Sequence, residues 1–79
     1  MKINLLYFAS MRQIVGVDSE TVTTSASTVR ELFFEIQKKY HFEMQETHLK
    51  VAINEEYTNY ETKLCDNDTV VFIPPVAGG

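Results

Sequence analysis

Helical periodicity is sustained over several turns only once in this chain, and that restricts the fold to one main helix set among strands. Thr28-Val29-Arg30-Glu31 is a capping box, in which Thr and Glu side chains reciprocally satisfy free backbone N–H groups at a helix start. From there Val29, Leu32, Phe33, Ile36 and Tyr40 recur as one apolar stripe. Glu35 and Lys39 stand one turn apart on the outside, where they can pair, and Lys38 and Lys39 lie near the negative end of the helix dipole. A helix with a single stripe buries it against a flat surface, so this one is expected to cover one face of a sheet.

The strands are read from period-two alternation and β-branched content. Residues 2–8 place Ile3, Leu5 and Tyr7 on one side and Lys2, Asn4, Leu6 and Phe8 on the other, a first strand with one buried face. Residues 9–15 carry Met11, Ile14 and Val15 at helical spacing before Gly16, which predicts a short helical turn. Residues 20–24 predict a second strand, residues 49–53 a third, and Asn54-Glu55-Glu56 a turn into a short strand over 57–60. Asp66-Asn67-Asp68 is a further turn before a terminal strand over 69–73. The order β, β, α, β, β, β predicts an α+β domain of the β-grasp, ubiquitin-like type over residues 1–73. It would have a mixed sheet, one main crossing helix, the last strand beside the first, and an extended tail over 74–79. If Val70 and Phe72 face the helix with Ile3 and Leu5, then Val71 and Ile73 emerge on the opposite face near Phe8. Phe8, Tyr57 and Ile73 are the expected partner-binding patch there.

Composition narrows the function. Seventy-nine residues with 44% apolar content make one core and leave no room for a second domain. A net charge of -4 without a Lys/Arg block argues against nucleic acid and suits basic partner surfaces. No run reaches the length that spans a bilayer, and Leu5-Leu6-Tyr7-Phe8-Ala9 is too short for a secretory signal, so a cytoplasmic location is expected. Cys65 is the single cysteine, which forbids an intramolecular disulfide, and its place beside a turn favours a structural over a persulfide role. His41 and His48 lack metal-ligand spacing and are read as surface or packing residues, so no metal is expected. Asp66 and Asp68 lack the Gly and distant Glu of a calcium loop. Arg12 is expected to pin the loop after the first strand. No nucleophile and base pair is readable, so the chain is not expected to be an enzyme on its own.

The end of the chain carries the sharpest chemical signal. Pro74-Pro75 fixes φ, supplies no N–H and directs an extended path away from the sheet. Gly78 and Gly79 carry no Cβ, leaving a carboxylate open to attack on an arm that can thread a narrow channel. The reach from Pro74 is roughly 20 Å at about 3.3–3.6 Å per residue. The expected reactive group is the Gly79 carboxylate, with Pro74, Pro75, Val76, Ala77 and Gly78 threading behind it.

Three segments make the chain resemble the small, sulfur-carrying subunit of molybdopterin synthase. They are Tyr7-Phe8-Ala9-Ser10-Met11-Arg12-Gln13-Ile14-Val15-Gly16, then Val51-Ala52-Ile53-Asn54-Glu55-Glu56-Tyr57 with the following Asp66-Asn67-Asp68, and Phe72-Ile73-Pro74-Pro75-Val76-Ala77-Gly78-Gly79. Gln13 departs from an often acidic position, and Asn67 stands where Gly is more usual. The resemblance implies that a ubiquitin-activating-like adenylyltransferase uses ATP to form a glycyl adenylate on Gly79. A sulfur donor then converts it to a thiocarboxylate, a 1-thioglycine. The large synthase subunit, in an expected heterotetramer, would receive the tail and pass two sulfurs to cyclic pyranopterin monophosphate, forming the molybdopterin dithiolene. Phe8, Tyr57 and Ile73 would be recognised by both partners, and neither ATP nor metal would bind this chain alone. A sulfur carrier for thiazole synthesis and a ubiquitin-like protein modifier use the same tail chemistry and stay open. A β-grasp interaction module with an inert tail is the reading of another class. A plant-type ferredoxin is excluded, since its cluster needs four cysteines.

Overall fold

The computed structural model describes residues 1–74. Strand β1 (Lys2–Tyr7) leads through helix α1 (Ala9–Val15) to β2 (Ser19–Thr23), and helix α2 (Val29–Tyr40) crosses to a 3-10 turn over Glu46–His48. Strands β3 (Lys50–Ile53), β4 (Glu56–Thr58) and β5 (Thr69–Ile73) complete a five-stranded sheet of order β2-β1-β5-β3-β4. Only β1 and β5 run parallel; the other pairs are antiparallel. This is the β-grasp arrangement that the element order predicts.

Helix α2 starts as its capping box requires. Thr28 accepts from the Glu31 N–H, and the Glu31 carboxylate accepts from the N–H groups of Thr28 and Ser27. His41 closes the helix in the left-handed conformation at φ 57°, its N–H bonding back to the Gln37 carbonyl. The helix buries Val29, Leu32, Phe33 and Ile36 against Ile3, Leu5, Val51, Val70 and Phe72. Phe33 lies at the centre, edge-on to Phe42, Tyr60 and Phe72.

Several boundaries differ from expectation, each for a local reason. Strand β1 ends at Tyr7 because Phe8, extended at φ -125°, is the residue that precedes the first turn of α1. Strand β2 ends at Thr23, and the Thr24 hydroxyl turns inward to accept from the Ala26 N–H and donate to Glu35 Oε2 at 2.5 Å. Glu35 is thereby taken, and the expected Glu35–Lys39 pair does not form; Lys39 Nζ instead donates to Glu20 Oε1 at 3.0 Å. Strand β4 covers 56–58 rather than 57–60, since Asn54 and Glu55, at φ 51° and 73°, make a two-residue hairpin turn that sets Glu56 directly against Ile53. Tyr60 leaves the strand, stacks on Phe72 and donates to the Leu49 carbonyl at 3.1 Å. Strand β3 begins at Lys50 rather than Leu49 because Leu49 closes the 3-10 turn, its N–H bonding back to the Glu46 carbonyl.

Glu20 ties β2 to the helix. Its Oε2 accepts from both Tyr7 and Tyr40 hydroxyls at 2.6 Å while Oε1 takes Lys39. Burial pushes the Glu20 pKa upward, but the bonds from Tyr40, Tyr7 and Lys39 outweigh it and hold the carboxyl below its ordinary value. Burial first, then the bond to Glu20, pushes the Tyr7 phenol strongly upward, and Tyr40 follows for the same reasons. The lowered carboxyl stabilises the fold fully above its unfolded pKa of about 4.3, and that contribution fades as pH falls. The raised phenols act oppositely, contributing fully below about pH 10 and losing their contribution as pH rises further. Glu20→Gln is expected to cost about 1–2 kcal/mol near neutral pH. It should also flatten the acid limb of a denaturation series, and a variant whose acid limb parallels the parent's contradicts this assignment.

Candidate functional site

The site is organised around the end of β5. That strand lies between β1 and β3 at the middle of the sheet, paired on both sides, with β3 up to the residue before Pro74. Ile73 is half-buried and Pro74 buried. Pro75, Val76, Ala77, Gly78 and Gly79 lie outside the described residues, so the thread and the terminal carboxylate are not part of this geometry.

Strand parity divides the sheet as expected. Val70 and Phe72 are buried toward α2 with Ile3 and Leu5, while Thr69, Val71 and Ile73 alternate onto the opposite face and are half-buried. The register places Leu6 beside Val71, Val71 beside Ala52, and Ala52 beside Tyr57, an apolar row across four strands on the face away from Val70 and Phe72, with Ala52 buried within it. Tyr57 is 73% exposed and Phe8 51% exposed, so neither is a core residue. Because β1 and β5 run parallel with Tyr7 beside Phe72, Phe8 and Ile73 emerge at the same end of the sheet. Tyr57 and Ile73 share a groove of about 570 Å³ with Leu49, Lys50 and Pro74, whereas Phe8 stands outside it, at the start of α1.

Reasoning from the chain alone put Leu6 and Val71 on this outer face without joining them to the patch, and it missed Ala52. Their alignment into one row comes only from cross-strand register, which fixes which residues of separate strands stand side by side. It also missed that His48 and Lys50 line the groove at the tail root. Lys50 sits directly beside Ile73 in the β3–β5 register, a cation on an apolar wall.

The remaining singled-out residues serve the frame. Arg12 reaches Asp18 at 3.6 Å and accepts the Gly16 N–H on its carbonyl, closing the connection from α1 to β2. Asp66 accepts from the Lys2 N–H, and Asp68 accepts from the N–H of Cys65 and the side chain of Asn54, so both carboxylates hold the turn before β5. Cys65 is exposed in that turn, away from the groove. Among the described residues, no group of His, Cys, Asp and Glu side chains could hold a metal ion, and no helix is long and apolar enough to cross a membrane. Among the described residues the arrangement offers a root held by strands on both sides and an apolar outer face.

The family model described as the ThiS family matches residues 5–79. The chain belongs to the ThiS family. Among its curated relatives, the molybdopterin synthase sulfur carrier subunit of Haemophilus influenzae is 34% identical, covering 98% of this chain and 99% of that protein. The corresponding subunit of Escherichia coli is 31% identical with the same coverage. The fold of this ThiS-family chain is shared by a chain in the protein–protein complex of subunits 1 and 2 of molybdopterin-converting factor from Helicobacter pylori. That chain is 24% identical, with a TM-score of 0.70 over the whole of both chains.

Proposed function

We propose that this chain is the sulfur carrier subunit of a molybdopterin synthase and that its working group is the Gly79 carboxylate. The observation that carries the reading is full-length likeness to sulfur carrier subunits in a chain whose central strand runs directly into Pro74 and ends at Gly78-Gly79. The chemistry follows from the poor reactivity of a carboxylate. A ubiquitin-activating-like enzyme joins it to the α-phosphate of ATP, releasing pyrophosphate, and a persulfide on a donor protein displaces AMP at the carbonyl carbon. A thiol of the donor then cleaves the acyl disulfide so formed, ending as a protein disulfide and releasing the thiocarboxylate. The thiocarboxylate on Gly79 then enters the large subunit, which acts on cyclic pyranopterin monophosphate. ATP and substrate belong to those partners, and this chain supplies the arm, its root and a docking face. Holding sulfur on the arm places it beside the substrate at high effective concentration.

The docking face is the outer sheet surface around Phe8, Tyr57 and Ile73, extended by Leu6 and Val71. Tyr57→Asp is expected to leave the thermal midpoint nearly unchanged, since the side chain is exposed, and to weaken binding of the large subunit by about 30-fold or more. Calorimetric titration measures this; unchanged affinity with a folded variant removes Tyr57 from the interface.

The acceptor is tested by offering the thiocarboxylated chain in parallel to a molybdopterin synthase large subunit and to a thiazole synthase. Dithiolene formation with the former alone supports the reading. Sulfur transfer only to the latter, or attachment of Gly79 to lysine side chains, assigns the same arm to a different acceptor.

A further inference from the structure

Strand β2 is an edge strand whose outward side is unoccupied among the described residues, and its hydrogen-bonding parity is fixed. Met1 and Thr24 exchange both backbone bonds, and the Tyr7 N–H donates to the Asp18 carbonyl. In an antiparallel pair such bonded residues alternate with non-bonded ones, so Glu20 and Val22 spend their backbone groups on β1. Ser19, Thr21 and Thr23 therefore direct their N–H and C=O groups outward. The pairing is regular, with no Pro, bulge or Lys in Ser19–Thr23 to blunt the edge.

Beneath that edge lies a groove of about 330 Å³ toward α2. Val22 faces the helix side with its partner Ile3 and is half-buried at the groove's mouth, while Leu32 and Ile36, almost wholly buried, form its floor. Its charged groups are committed at the two ends, Lys39 to Glu20 and Glu35 to the Thr24 hydroxyl. The middle is left apolar.

We propose that the β2 edge receives an extended segment of another polypeptide as a sixth strand, laying a branched aliphatic side chain over Val22 at the groove's mouth, above Leu32 and Ile36. The unpaired ladder selects an extended backbone, and the residue opposite Val22 occupies a non-bonded pair, where side chains approach most closely. Uncharged flanking residues suit the exposed Thr21 and Thr23, and basic ends suit a domain of net charge -4. A second copy is the poorer occupant. Symmetric antiparallel pairing over Ser19–Thr23 puts Val22 against Glu20 of the other copy, whose carboxylate already takes three donors. Shifting the register to set Val22 against Val22 leaves only Thr21 and Thr23 to bond. The site lies on the opposite sheet edge from β4 and Tyr57, so the strand can be added while the outer face and tail are engaged.

The test uses the full chain, isotope-labelled for NMR, titrated with the capped peptide Lys-Thr-Val-Thr-Val-Thr-Lys. Saturable shifts and new exchange protection at the Ser19, Thr21 and Thr23 amides, with methyl shifts at Val22, Leu32 and Ile36, are expected. Thr21→Pro removes an outward N–H without touching the β1 ladder and should weaken binding about tenfold, with outer-face resonances retained. A peptide N-methylated along its bonding edge, tested on the unaltered chain, should bind at least about tenfold more weakly whatever the variant does. The proposal is overturned by equal affinity for the N-methylated peptide, by shifts centred on Leu6, Val71 and Tyr57, or by no saturable binding at millimolar peptide. Concentration-dependent β2 shifts without peptide would overturn it in favour of self-association.

Discussion

A single alanine appended after Gly79 is expected to reduce sulfur loading by about two orders of magnitude or more while leaving the fold unchanged. The reason is positional. The reactive oxygen must meet the α-phosphate in line, and one added residue moves it by about 3.5 Å, far beyond the displacement of about 1 Å that already costs a hundredfold. Deleting Gly78 and Gly79 should act equally, since the shortened arm presents Ala77 with a Cβ in place of a bare carbonyl. Neither change touches the core, which is built from residues 3–72. Thermal unfolding and sulfur loading measured on the same samples separate the two effects. An extended chain that still supports pterin sulfuration contradicts the terminal-carboxylate mechanism.

Phe33→Ala is expected to have the largest effect on stability, about 3–5 kcal/mol. Phe33 is fully buried and packs edge-on with the rings of Phe42, Tyr60 and Phe72, joining α2, the loop after it, the loop after β4, and β5 through one side chain. Truncation leaves a cavity bordered by rings that are themselves held, Tyr60 by its bond to Leu49, so collapse is restricted. At about 0.05–0.15 kcal/mol per residue, a domain of this size retains little stability after such a loss. Phe34, next along the helix but about half exposed, is the control: Phe34→Ala should cost less than about 1 kcal/mol. Urea midpoints for the two variants measure the contrast, and similar shifts would place the core elsewhere.

Most of the frame was legible because it depends on short-range signals. The capping box at Thr28 and Glu31, the stripe from Val29 to Ile36, and the alternation of β1 and β5 each carry their own periodicity. What was not legible depends on partners distant in the chain. Glu35 and Lys39 have the spacing of a helix pair, yet Thr24 and Glu20 reach them first from β2 and its end. Tyr60 reads as a strand residue, but its ring finds Phe72 and leaves β4 at Thr58. The groove at the tail root follows the same rule. Lys50 and Ile73 meet only because β3 and β5 pair with that register, and the 3-10 turn that brings His48 there gives no pattern in three residues. Phe8, Tyr57 and Ile73 were singled out from parity and resemblance. Phe8 and Tyr57 are exposed, Ile73 is half-buried, and only Tyr57 and Ile73 share the groove; a docking role rests on the Tyr57→Asp measurement.

The central claim concerns the Gly79 carboxylate, and intact-protein mass spectrometry tests it most directly. The full chain is incubated with a cognate activating enzyme, ATP and a sulfur donor, and the C-terminal peptide is then sequenced in the spectrometer. A mass gain equal to replacement of one oxygen by sulfur, located on Gly79 and absent without ATP, is the predicted result. An unmodified terminus beside an activating enzyme proven active on another carrier would contradict the account and favour a β-grasp interaction module with an inert tail.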